Sequence, residues 1–241
     1  LTKDDTVLEV GPGLGFLTAK LAGQAKQVIA VEMDAKLAEI LRIGLLAKKI
    51  ENVEVVNEDI LKYPISNIQY PIKPQYPNTP SASLGASNDP AYATATAGKQ
   101  NAIRDTRYAI HSYKIVANLP YNITSFFLRK FLESENKPEL MVLMLQKEVA
   151  ERIVAKPGKM SLLAVSVQFY ADAEIISQVP KENFWPMPKV DSAIIAIRDV
   201  RCAIHDLGVD KEKEFFRMVK FGFRGGGGVV GDNLAAGYHS E

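Results

Sequence analysis

The chain has little of what builds disulfides or metal centres: one cysteine, Cys202, and three scattered histidines, His111, His205 and His239, in 241 residues. A lone cysteine excludes an internal disulfide and fits a reducing compartment. Three scattered imidazoles and a single thiol make no constellation of metal ligands, so no metal is expected. No apolar run approaches the ~20 residues that a membrane-spanning helix needs. No leader of the secretory kind opens the chain, and a soluble cytoplasmic protein is the expectation. Net charge is scarce as well. With 29 Lys and Arg against 28 Asp and Glu, the balance is +1, which argues against a broad non-specific nucleic-acid footprint.

What is present begins with glycine. Val7-Leu8-Glu9-Val10 is a short apolar strand that runs into Gly11-Pro12-Gly13-Leu14-Gly15, followed by helical apolar spacing at Leu14, Leu17 and Leu21. Glycines at alternate positions let a backbone pass close beneath a ligand. A dinucleotide fingerprint, Gly-x-Gly-x-x-Gly, fails at its third position, which is Phe16. Glu9, just before the first glycine, would also repel a pyrophosphate. A second strand, Val28-Ile29-Ala30-Val31, ends in Glu32-Met33-Asp34. An acid there is placed to accept the two hydroxyls of a ribose. A ligand with a ribose, a cationic end and no phosphate fits this set, and S-adenosyl-L-methionine is such a ligand.

A third strand, Val53-Glu54-Val55-Val56-Asn57, leads to Glu58-Asp59-Ile60. Asp59 is suited to accept a hydrogen bond from an adenine amine while Ile60 packs the ring; the plain alternative is a helix cap or loop acid. The run Ile115-Val116-Ala117 ends in Asn118-Leu119-Pro120-Tyr121. The Asn118 side-chain oxygen and the Leu119 carbonyl can each accept an N–H from an exocyclic amine, Pro120 fixes the turn, and the Tyr121 ring can stack on a base. In chain order the glycine loop, Glu32, Asp59 and Asn118 each follow a strand, the edge at which an open parallel sheet holds its ligand.

Here the chain resembles the ribosomal RNA small-subunit adenine N6,N6-dimethyltransferases. The resemblance is carried by Leu8–Gly15, Val31–Asp34, Glu58-Asp59, Asn118–Thr124, Gln146–Arg152 and Phe184-Trp185-Pro186-Met187-Pro188-Lys189-Val190-Asp191-Ser192, and covers most of residues 1–65 and 113–200. It implies an α/β fold, a Rossmann-like seven-stranded methyltransferase sheet, and dimethylation of adjacent adenines of 16S-type rRNA in the small ribosomal subunit; a monomer is the expectation. In that likeness Glu32 binds the cofactor ribose and Asp59 and Ile60 its adenine. Gly11, Gly13 and Asn118 take the methionine portion, with Glu9 and Met33 completing the cofactor set. Asn118 and Leu119 hold the target amine, while Tyr121 and Phe184 sandwich the target adenine, as in enzymes that extrude a base.

Phe184 and Trp185 also admit a plainer reading, a plug of the loop against the core. Lys147, Arg152, Lys156 and Lys159 gather around one helix end, with Lys181 and Lys189 near Phe184. They read as a solvated face or as phosphate contacts, with Lys156, Lys159 and Lys189 as the RNA-binding candidates. Apolar periods predict strands over 6–10, 28–32, 53–57, 114–118, 140–146, 166–176 and 192–198, the last antiparallel to its neighbour. Helices are expected over 14–22, 34–47, 124–134, 147–155 and 160–165, the last with room to extend.

Residues 1–200 are expected to form the methyltransferase domain, with 66–112 as a low-complexity insert broken by Pro71, Pro74, Pro77, Pro80 and Pro90. Residues 201–241 are expected to be a truncated helical appendage. Phe215–Arg224 resembles the opening helix of the family's small C-terminal domain, but Gly225–Gly228 stands where a basic stretch is the family's habit. The chain starts at Leu1, directly before the first strand, without the family's N-terminal cofactor-closing segment, as in a fragment. Two alternatives therefore remain beside the enzyme. One is a non-catalytic RNA- or ribosome-binding factor that keeps the fold. The other is a large-subunit rRNA methyltransferase of the macrolide-resistance type, against which the residue after Asn118 weighs mildly.

Overall fold

The computed structural model describes residues 1–69, 112–198, 200 and 209–224. The expectations for the segment 70–111, for Cys202 and the three histidines, and for the glycine run after Arg224 lie outside these residues. So does the side chain of Tyr121. The chain divides into two units, Leu1–Ile68 with Ser112–Glu241, and Gln69–His111; the site belongs to the first.

Seven strands form one sheet. Five are short apolar runs: β1 (Thr6–Val10), β2 (Gln27–Glu32), β3 (Val53–Asn57), β4 (Tyr113–Asn118) and β5 (Leu140–Gln146); β6 (Asp172–Val179) and β7 (Ser192–Arg198) complete it. Their order is β3-β2-β1-β4-β5-β7-β6. The first five pair in parallel, and β7 lies antiparallel to both β5 and β6. Parallel strands covered on both faces are apolar over most of their length, and β1 and β2 are buried almost end to end, with Glu9 the buried acid of β1.

The alternation of side chains sorts the core. Val7, Val28 and Ala30 pack against α1 (Phe16–Gln24) and α2 (Ala35–Ala47). Leu8, Ile29, Val31, Ile115 and Ala117 join a larger cluster with α3 (Thr124–Leu132), α4 (Lys147–Ile153) and α5 (Leu162–Tyr170). In α3 the buried residues are Thr124, Phe127, Leu128, Phe131 and Leu132, the i, i+3, i+4, i+7 stripe of an amphipathic helix. Asp34 caps α2 by accepting from the Lys36 and Leu37 N–H groups at 2.8 and 3.0 Å.

One predicted strand is displaced. The run expected as a strand over 166–176 is split between α5 and β6. Ser161 caps α5, its hydroxyl accepting from Ala164 N at 3.2 Å, and Ala164, Val167 and Tyr170 then fall on the buried side at helical spacing. The strand starts only at Asp172, with a register shift between Ile175 and Ser177. The last described helix, α6 (Val209–Arg224), begins before the expected Phe215. It docks on α5 through aromatic rings, Phe215 stacking on Phe169 at 4.7 Å between centroids and Phe216 on Tyr170 at 5.9 Å. The Tyr170 hydroxyl donates to Glu212.

Candidate active site

The glycine loop joins β1 to α1 with Gly11, Gly13 and Gly15 at φ of 67°, 55° and 79°. Two of these positions serve different ends. A Cβ added at Gly15 would stand 2.2 Å from Leu41 Cδ1, so this glycine lets α1 close on α2. A Cβ at Gly13 would meet nothing within 4 Å, so there the backbone borders open space. Gly11 lies against the end of β4, where its missing Cβ would come 3.7 Å from the Asn118 carbonyl oxygen.

Glu32, 8% exposed at the end of β2, closes this loop from the side. Its Oε2 accepts from Gly13 N at 3.1 Å and its Oε1 from Asp34 N at 3.0 Å. Each carboxylate oxygen has two lone-pair directions, so each can take one hydroxyl donor besides its backbone partner. Asn57, at the end of β3, holds the Glu32 main chain. Its Nδ2 donates to the carbonyls of Glu32 and Met33 at 2.8 and 3.1 Å. The Met33 side chain itself is 73% exposed.

Beyond β3, Asp59 is half-buried and turns its Oδ1 back to accept from Leu61 N at 2.9 Å. Ile60 is buried in the main core cluster. Lys130 reaches this turn from α3, donating to the carbonyls of Ile60, Leu61 and Tyr63 at 3.0, 2.9 and 2.5 Å. Sequence pattern did not single out Lys130 or Asn57. A lysine beside Arg129 on a helix reads as solvated, and an Asn at a strand end reads as a turn residue.

Glu9 occupies a different setting from the other acids. It is 2% exposed on β1, and burial pushes its carboxyl up to about 7, with Thr18 of α1 drawing it partly back. Neither Glu9 Oε2 nor Thr18 Oγ1 meets hydrogen-bond geometry with a partner among the described residues. Glu9 thus lies inside the β1–α1 packing, beneath the loop.

Asn118 is exposed at the end of β4, one position past the pairing of Ala117 with Val10. Leu119 is buried, its N–H bonded to the Met144 carbonyl at 3.3 Å, and Pro120 leads into the single turn Tyr121–Ile123 that continues as α3. The Phe184 loop lies at the same edge of the sheet, because Gln146 at the end of β5 and Val179 at the end of β6 both pair with Ser192. Asp191 ties that loop down, its carbonyl accepting from Lys147 N at 3.0 Å and its Oδ1 from Lys181 N at 3.1 Å. Phe184 is half-buried, whereas Trp185 is 97% exposed, which removes the core-plug reading for Trp185.

The lysines do not form one patch. Lys189 lines a shallow groove with Lys147 and Lys181, but Glu148, Glu151, Glu182 and Asp191 share it. Lys156 and Lys159 stand exposed on a separate turn after α4, closed by Lys159 N to the Lys156 carbonyl at 3.0 Å. Among the described residues no group of three or more His, Cys, Asp or Glu could hold a metal, and no helix is long and apolar enough to cross a membrane.

The family described as ribosomal RNA adenine dimethylase matches residues 1–239. The ribosomal RNA small subunit methyltransferase A of Dehalococcoides mccartyi is 43% identical over 223 residues, 92% of this chain and 62% of that protein. The protein of the same name from Enterococcus faecalis is 38% identical over 226 residues, 93% of this chain and 64% of its own length. The chain therefore spans less than two thirds of these relatives. Among solved structures, the 23S rRNA methyltransferase ErmE superposes with a TM-score of 0.66 at 29% identity, covering 98% of this chain and 77% of its own. A dimethyladenosine transferase from Plasmodium falciparum, at 24% identity and a TM-score of 0.64 over 90% of this chain and 64% of its own, shares the fold. From the span of the family match, with the sheet and its loop edge in agreement, this chain belongs to the ribosomal RNA adenine dimethylase family.

Proposed function

We propose that the chain is an S-adenosyl-L-methionine-dependent methyltransferase that dimethylates N6 of adjacent adenines in small-subunit rRNA. One observation carries the reading: the glycine loop, Glu32, Asp59 and Asn118 stand at the same edge of four neighbouring parallel strands. The residues fit the methyl donor. Open space over Gly13 admits it, the free lone pairs of Glu32 suit the ribose hydroxyls, and Asp59 suits the adenine amine. Bound there, the donor supplies a methyl group on a positively charged sulfur, which leaves readily and needs no protein nucleophile.

The chain's own task is then alignment, the main source of rate in such a transfer. The Asn118 side-chain oxygen and the Leu119 carbonyl accept the two N–H bonds of the target amine and draw its lone pair out of the ring. Tyr121 and Phe184 hold the base between their rings, and the released proton passes to water. The close approach of Gly11 to Asn118 supports this arrangement, since it brings the donor loop beside the amine holder. Lys156 and Lys159, on one turn, and Lys189, in a separate groove, are proposed as phosphate contacts. Residues 1–200 are proposed as the catalytic domain.

The relatives named small subunit methyltransferase A favour the small subunit over the large-subunit reading that the likeness to ErmE offers. The test is transfer of labelled methyl from S-adenosyl-L-methionine to undermethylated small subunits, then digestion to nucleosides. Label in N6,N6-dimethyladenosine is expected. Donor binding without label would leave the non-catalytic factor as the better reading.

A further inference from the structure

Three main-chain carbonyls in one turn, those of Ile60, Leu61 and Tyr63, converge on a single donor, the Lys130 ammonium. Only a group with three N–H bonds and a long reach satisfies all three. Glu58 and Asp59 bear on the same ammonium through their charge. Lys130 belongs to α3, whose first turn continues from Asn118-Leu119-Pro120-Tyr121 with Thr124, Phe127, Leu128 and Phe131 buried. Helix α3 thus joins the two: it follows the amine-holding motif at its start, and from its last turn Lys130 reaches the Asp59 turn.

The bridge acts on the acid itself. Lys130 holds the Leu61 carbonyl, while the Leu61 N–H holds Asp59 Oδ1. Fixing that residue fixes the direction in which Asp59 presents its carboxylate. We infer that Lys130 is a positioning residue that sets the Asp59–Ile60 turn against the Asn118–Tyr121 motif and thereby sets affinity for the adenosyl half of the methyl donor. This role rests on the cofactor reading above. Without the ammonium the three carbonyls lose their donor, and Glu58 and Asp59 lose a neighbouring positive charge. The turn then has reason to re-form around other partners, with its carboxylate redirected.

The test is calorimetric titration with S-adenosylhomocysteine of the wild-type chain, Lys130→Met, which keeps the apolar stem and loses the donors, and Lys130→Arg, which keeps a cation. Thermal melting of each is recorded alongside. Loss of charge-assisted hydrogen bonds predicts a Kd raised about tenfold in Lys130→Met, with a large part recovered in Lys130→Arg. An unchanged Kd with only a lowered Tm would make Lys130 a scaffold residue and overturn the role. Should Lys130→Met fail to fold, Lys130→Gln is read by the same criterion, an unchanged Kd again overturning the proposal. A wild-type chain that does not bind S-adenosylhomocysteine would overturn the cofactor reading and this role with it.

Discussion

Glu32 does two things that one substitution separates from mere charge. In Glu32→Gln the new amide nitrogen cannot accept from the backbone, so the bond to either Gly13 N or Asp34 N is lost and the glycine loop loosens. S-adenosylhomocysteine affinity should fall about tenfold or more, read by titration. Tyr121→Ala should do the reverse, weakening methyl transfer while leaving that affinity near wild type; equal losses would remove the ring from the target side. Glu9 makes a prediction about pH. Its carboxyl holds a proton up to about 7 in the folded chain against 4.5 ordinarily. The folded state therefore binds more protons in that window, and its stability falls as pH rises through it, by on the order of 3 kcal/mol. Urea unfolding of Glu9→Gln across pH 4 to 8 should lack this decline. A wild-type profile as flat as the variant's would count against a desolvated Glu9.

At the scale of elements, the glycine loop separates stability from binding. Gly15→Ala combines a left-handed φ with a contact 2.2 Å from Leu41 Cδ1 and should lower stability by about 1–3 kcal/mol. Gly13→Ala shares the left-handed φ but meets open space, so it should cost less stability than Gly15→Ala and bear more on donor affinity. Paired unfolding and titration data that interchange these two effects would contradict the division. Strands β1 to β5 and β7 were legible because each is a short apolar run bounded by glycine, an acid or a turn. Strand β6 was misplaced for a physical reason: Leu162–Tyr170 is apolar on nearly every residue, so it suits a buried strand or a buried helix by composition. The Ser161 cap decides for the helix, and only the structure shows that cap made. The four acidic, amide and glycine elements of the candidate site could be placed at strand ends, and the structure has them at one edge of the sheet. The Asn57 and Lys130 bonds could not, since they join residues 24 to 70 positions apart.

For the whole molecule, the proposed reading combines a near-zero net charge with lysines that, among the described residues, are dispersed, so it assigns selection of the RNA to base-holding residues and shape rather than to a basic face. That proposed substrate is reached only through resemblance. Composition argued only against a broad non-specific footprint, and the groove holding Lys189 has acids among its lysines. Likeness to both small-subunit and 23S rRNA methyltransferases makes subunit choice the sharpest point of the account. The deciding measurement offers undermethylated small and large subunits together with labelled S-adenosyl-L-methionine, then maps the label by nuclease digestion. The account predicts label confined to two adjacent adenines of the small-subunit RNA, recovered as N6,N6-dimethyladenosine. Label in large-subunit RNA, or at positions other than adenine N6, would contradict it.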